Sequence, residues 1–265
     1  MAIPLASGEW VRLARTQFRV LVTLSIRDMQ TKYGKQVGSY AWAVYEPFTY
    51  VTLLMLVHVL IAPLTPPGMP PLLFIVLGVL PWVAFANTMR QSYKAVYGSR
   101  NLLVFGRVTN LDLYVARCLT NLCTFVVVFA FFVLFSMFVE GDGMPDNPFG
   151  VVFMFLCAWA MGTAFGLCLM GIHRFFPLVE RMLIIVPRIG LWTSGVFFVI
   201  AQLPQNMWHY MTWNPVLHIN ELMRQYWFSI YTSPIADPYF VLECILGLFS
   251  LGLLLERQAR SVPLK

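Results

Sequence analysis

The chain has 265 residues, 59% of them hydrophobic and only 11% charged, with 18 Lys/Arg against 12 Asp/Glu and a net charge of +6. Soluble domains carry about 25% charged residues, so this chain has too little charge to cover a globule in water and reads as a membrane protein. The basic excess tracks the ends of apolar segments and no nucleic-acid motif is present, so the charge reports topology rather than a nucleic-acid partner.

The N-terminus does not read as a cleavable signal, because Arg12, Arg15, Arg19 and Arg27 interrupt its apolar stretch. Residues 8–28 read instead as an amphipathic helix. Those arginines and Thr23 recur at spacings of three and four, while Trp10, Leu13, Ala14, Leu21 and Leu24 fall on the other face. A basic stripe opposite an apolar one fits a helix lying in the cytoplasmic interface. From Pro47 to Met89 no residue is charged, which is room for two spans at about 20 residues each. The proline-rich break from Ala62 to Pro71 separates them, placing the first span near 40–62 and the second near 71–91.

A polar segment with Arg90, Lys94, Tyr97, Arg100, Asn101 and Arg107 follows, then a third span near 114–139. The loop Glu140-Gly141-Asp142-Gly143-Met144-Pro145-Asp146 is acidic without Lys or Arg and therefore faces outward. A fourth span near 149–171 carries Ala158, Gly162 and Gly166 at spacings of four, a face that lets another helix approach closely. The fifth span is placed near 183–203, bent at Pro187. Residues 204–238 are too polar for a span and too aromatic for an exposed loop. They read as one or two short helices dipping into the outer leaflet, where irregular backbone must be covered by protein or line a wet cavity. The last span is near 239–256. With both ends cytoplasmic, every Lys and Arg except Arg224 falls on or near the cytoplasmic side, as the positive-inside rule requires. The predicted fold is an all-α integral membrane protein, one domain over 1–265. It has six transmembrane helices, an N-terminal interfacial helix and short re-entrant periplasmic helices between the fifth and sixth spans.

No catalytic constellation stands out. GxSxG and HExxH are absent, and the only Gly-Lys pair, Gly34-Lys35, lacks the context of a phosphate-binding loop. Any ATP-driven work therefore needs an ATPase on another chain. His58, His173, His209 and His218 are scattered, and no metal site is expected. The cysteines Cys118, Cys123, Cys157, Cys168 and Cys244 form no CxxC pair and read as apolar packing residues. Glu46 and Glu243 are the carboxylates nearest hydrocarbon, but both sit near span ends, where pairing or capping is as good a reading as function. No ionisable group is expected near the membrane centre. Trp42, Trp82, Trp159 and Trp192 could stack on sugar rings or belong to the interfacial belt. Lys32, Lys35, Arg90 and Lys94 could attract an anionic lipid head or acidic sugar at the cytoplasmic mouth, although topology alone also explains them.

The stretch from Arg27 to Lys35, with Gly38, Trp42 and Glu46-Pro47 after it, resembles the approach to the first span in membrane subunits of ABC exporters of capsular polysaccharide and O-antigen. Asn101-Leu102-Leu103, Asp112-x3-Ala116-Arg117, Trp213-Asn214-Pro215 before a stretch ending at Arg224, and the chain's size agree with that family. The likeness extends over essentially the full length. The short loops and Glu46-Pro47 look most like the capsule exporters of Gram-negative bacteria. The resemblance implies a homodimeric pore in the bacterial inner membrane with two copies of a separate ATPase beneath. That ATPase would use ATP and Mg, and this chain would bind no cofactor. It also implies a lipid-linked polysaccharide substrate and periplasmic or outer-membrane export partners. Residues 94–109 would form the coupling region, with Tyr97, Arg100, Asn101, Leu102, Leu103, Phe105 and Arg107 meeting the ATPase. The candidate substrate path is Lys32, Tyr33, Lys35, Tyr40, Trp42, Glu46, Arg90, Lys94, Trp159 and Trp192. An exporter of O-antigen, teichoic acid or another lipid-linked substrate, a membrane-embedded transferase and a passive channel are the competing readings.

Overall fold

The computed structural model describes residues 15–27, 37–61, 65–98, 109–141 and 144–259, without the side chains of 37–40, 42–44, 46–47, 58–59, 61 and 96–98. Every regular element among them is helical. Helix α1 covers 15–27, followed by α2 (Val37–Ile61), α3 (Pro71–Gly98), α4 (Asn110–Glu140), α5 (Pro148–His173), α6 (Met182–Thr193), α7 (Gln205–Met211), α8 (Pro215–Trp227) and α9 (Pro238–Ala259).

Four of these, α3, α4, α5 and α9, are long and apolar enough to cross a bilayer. Helix α2 has 25 residues, about 37 Å at 1.5 Å per residue, and its described apolar stretch is Phe48–Val57. The expected span limits at 40–62, 71–91, 114–139, 149–171 and 239–256 fall on α2, α3, α4, α5 and α9. Six spans are not reached among the described residues, because the expected fifth span does not run through 183–203. Helix α6 stops after 12 residues at Thr193, about 18 Å, and the chain then turns at Gly195 with φ +64, a conformation open to glycine.

Helix α3 is the centre of the bundle. Residues 73–86 are buried all round, as a helix hydrophobic on every face should be. Helix α5 packs on it through the small-residue face expected from the sequence. A Cβ at Gly162 would lie 2.5 Å from the Phe85 carbonyl oxygen, and one at Gly166 3.0 Å from that of Met89. Helices α4 and α9 instead turn apolar side chains outward, among them Leu134, Phe138, Leu246 and Leu254, a surface suited to lipid rather than water. At its start α4 has a complete capping box, Thr109 and Asp112 each accepting the other's backbone N–H. At its end Glu140 reaches across to α3, accepting from Leu72 N at 2.7 Å and Leu73 N at 2.9 Å. That carboxylate satisfies two of the N–H groups a helix start leaves unpaired.

Of the predicted interfacial helix 8–28, residues 15–27 are helical and 8–14 lie outside the described residues. Arg15, Arg19 and Arg27 are exposed, while Leu24 is buried against Leu113 and Ala116 of α4.

Candidate functional site

An open cleft of about 1190 Å³ lies between α2, α3, α6 and the short turn Pro177–Arg181 that precedes α6. Helical spacing builds it. On α3 the lining residues Trp82, Arg90 and Lys94 recur at multiples of four, so they share one face. On α6 the stripe is Ile184, Arg188 and Trp192, again four apart, and on α2 it is Tyr45, Thr49, Thr52 and Leu56. From Trp82 to Lys94 the α3 wall is about 18 Å long at 1.5 Å per residue. One end of the cleft is aromatic and apolar, with Trp82, Leu53 and Leu56. Towards the other stand Arg90 and Lys94, with Glu180 from the turn before α6. Tyr50 stacks on Trp82, ring centroids 6.4 Å apart. The Arg90 guanidinium is steadied within its own helix, donating to Asn87 Oδ1 at 2.8 Å and the Ala86 carbonyl at 3.3 Å.

Of the predicted path residues, the cleft gathers Arg90, Lys94 and Trp192, the last 66% exposed. It does not gather Trp159, whose indole donates to the Cys118 carbonyl at 2.9 Å between α5 and α4. That is a packing role. Trp82, read as stacking surface or belt, lines the cleft from a buried position. Lys32, Tyr33 and Lys35 lie outside the described residues, as do the side chains of Tyr40, Trp42 and Glu46. The coupling residues Arg100, Asn101, Leu102, Leu103, Phe105 and Arg107 also lie outside them, as does the side chain of Tyr97. Lys94 sits one turn before the end of α3, which leads into that segment.

Arg188 is the cleft residue that sequence reasoning missed. It stands in the middle of α6, next to Pro187, exposed and on the cleft. An arginine inside an apolar helix is itself a signal of function. The 184/188/192 spacing would have placed it beside Trp192.

A second polar cluster explains why α6 ends where it does. Past Thr193 the backbone carbonyls lose their helical partners and need others away from water. Side chains of α8 and its cap supply them. Asn214 Nδ2 donates to the Thr193 carbonyl at 3.2 Å, and Asn220 Nδ2 to that of Ser194 at 2.7 Å. Arg224 serves three more, with Nη1 on Gly195 O at 2.6 Å and Phe198 O at 2.8 Å, and Nη2 on Val196 O at 2.8 Å. Its guanidinium lies over the Phe74 ring, 3.9 Å from the centroid, a cation–π contact. Gly78 of α3 leaves the room, since a Cβ there would collide with Arg224 Nη2 and the Val196 carbonyl. Glu221, one turn before Arg224, accepts from Ile200 N at 3.0 Å, from Ser233 Oγ at 2.7 Å and from the Tyr231 hydroxyl. Both side chains are fully buried. Burial lowers the Arg224 pKa to about 10, with the Glu221 charge opposing the fall, so the guanidinium stays charged at neutral pH. The region 204–238, expected to dip into the outer leaflet, thus contains two helices, of which α8 is buried among α3, α5 and α9. Among the described residues no group of three or more His, Cys, Asp or Glu could hold a metal ion.

No family model matches the chain. It is 25% identical over 257 residues to the polysialic acid transport protein KpsM of Escherichia coli, covering 95% of this chain and 99% of that protein. Against the capsule polysaccharide export inner-membrane protein CtrC of Neisseria meningitidis serogroup A it is 25% identical over 248 residues, 89% of each. With the O-antigen export system permease protein RfbA of Klebsiella pneumoniae it shares 23% over 207 residues, 75% of this chain and 76% of that one. Along most of its length, the chain is similar to inner-membrane proteins of capsule polysaccharide export.

Proposed function

We propose that the chain is the membrane subunit of an ATP-driven exporter moving lipid-linked capsular polysaccharide across the bacterial inner membrane. It would act as a homodimer with two copies of a separate ATPase, which uses ATP and Mg, and with both termini cytoplasmic. The observation that carries the reading is the cleft. It joins an aromatic and apolar wall (Tyr50, Trp82, Leu53, Leu56) to a basic end (Arg90, Lys94), the shape and charge order of a lipid-anchored anionic chain. The guanidinium of Arg188 would hold the anionic portion part-way along, and Trp192 would offer a flat face to a sugar ring. The full-length likeness to KpsM and CtrC, both named for transport or export, supports the same substrate class. Coupling would run through 94–109, whose first residues, 94–98, end α3, with Lys94 on the cleft wall. An O-antigen exporter is the second reading, favoured by the likeness to RfbA.

The test is to co-express the chain with the ATPase encoded beside it, purify through a tag on this chain and measure ATP hydrolysis. Equal amounts of the two proteins with vanadate-sensitive turnover are expected. A folded chain that retains no ATPase would overturn the reading.

A further inference from the structure

His218 of α8 is 4% exposed, and both ring nitrogens are engaged. Nδ1 lies 3.1 Å from the backbone nitrogen of Asp237, and Nε2 lies 2.8 Å from the carbonyl oxygen of Thr212. A backbone N–H only donates and a backbone carbonyl only accepts. Both bonds therefore demand one species, the neutral imidazole with a bare Nδ1 and its proton on Nε2. Thr212 caps the C-terminus of α7. Asp237 immediately precedes α9, and its Oδ1 accepts from Tyr239 N at 2.8 Å. The ring also packs on Phe240 of α9, centroids 4.8 Å apart. One uncharged ring thus ties the end of α7 and the start of α9 to α8.

We propose that His218 is a proton-sensitive latch. Uncharged, it clamps the α7 and α9 termini to α8; a proton from solvent on Nδ1 consumes the lone pair that holds Asp237 N–H and releases that side. The protonated ring would set two N–H groups against each other and bury an imidazolium, both unfavourable. Histidine is the side chain that ordinarily changes charge between about pH 5 and 8. The ionisable groups around it are few. On α8 they are Glu221, Arg224 and Tyr226, and on α7 His209 and Tyr210. The 228–237 segment brings Tyr231 and Asp237, and α9 brings Tyr239, Glu243 and Cys244, with Glu256 and Arg257 at its far end. Asp146 precedes α5, which contributes only Cys157 and Cys168 before His173, and α3 contributes none between Pro71 and Met89. The two carboxylates closest along the chain, Glu221 and Asp237, already accept from Ile200, Tyr231, Ser233 and Tyr239. Glu221 spends both oxygens on three of these bonds, and Asp237 spends Oδ1 on one, from Tyr239 N.

That this end faces outward rests on the topology proposed above, but the latch itself does not. Hydrogen exchange of the full chain in lipid nanodiscs reads it without any ATPase or substrate, so its failure is separable from failure of the transport reading. Protection of 205–214 and 234–240, corrected for the chemical exchange rate, is expected to fall about tenfold relative to α5 between about pH 8 and about pH 5, the effect of one net hydrogen bond. In His218→Gln that pH dependence should vanish. Equal wild-type protection at both pH values, or a fall that persists in H218Q, overturns the proposal. If H218Q does not fold, nitrogen NMR of histidine-labelled wild type decides. A bare Nδ1 at the higher pH that gains a proton at the lower supports the latch, and an Nδ1 protonated at both or bare at both overturns it.

Discussion

The cleft and the α6–α8 junction both hold arginines in an apolar chain, and they use them in opposite ways. At the junction Arg224 is fully buried and its two terminal nitrogens donate to three backbone carbonyls. In the cleft Arg188 is exposed, and among the described residues Arg90 donates within its own turn of helix. A charge whose donors are consumed by backbone holds a fold, whereas a charge facing an open cleft is available to something that enters it. The difference lies in where the donors go, and residue type alone does not reveal it.

The largest effect should come from the junction. Arg224→Met leaves the carbonyls of Gly195, Val196 and Phe198 without their donors and strands the Glu221 charge, at a cost of about 3–5 kcal/mol. Little folded protein should survive detergent extraction and size-exclusion chromatography. Arg224→Lys should fail nearly as badly, since a single ammonium cannot span the guanidinium fork. A well-folded R224M would erase the distinction between the two regions. Gly78→Ala drives a methyl group into Arg224 Nη2 and the Val196 carbonyl and should cost about 1–3 kcal/mol as overpacking, read as a lower melting temperature. Glu140→Gln weakens the cap on α3 and should cost about 1–2 kcal/mol. Because Glu140 is half-buried, it tests whether the cost scales with burial. Arg188→Gln and Trp192→Ala should shift stability by less than about 0.5 kcal/mol, as exposed substitutions do, while lowering export.

Much of the fold was legible because apolar runs and their breaks are local. The limits of α3, α4, α5 and α9 follow from Pro71, Thr109, Pro148 and Pro238 at or beside their starts. The end of α6 was not legible. Val196, Phe197, Phe198, Val199 and Ile200 continue an apolar run, and what interrupts the helix is a set of donors some 20 to 29 residues further on. Arg224 stood out in the sequence as the one basic residue expected on the outer side, but its burial depends on Gly78 and Phe74 of a distant helix. The cleft was half legible. Arg90, Lys94 and Trp192 were singled out, while Arg188 was absorbed into a span drawn too long, and Trp159 was assigned to the path though its indole faces α4.

The most direct test of the central claim, that the cleft carries the exported polymer, is the amount of surface polysaccharide on cells whose only copy of this chain bears Arg90→Gln and Arg188→Gln. Membrane levels of the chain are matched to wild type by immunoblot. The account predicts wild-type insertion with export reduced about tenfold or more, the loss of one to two charge-assisted contacts. Wild-type polysaccharide at matched protein would contradict it.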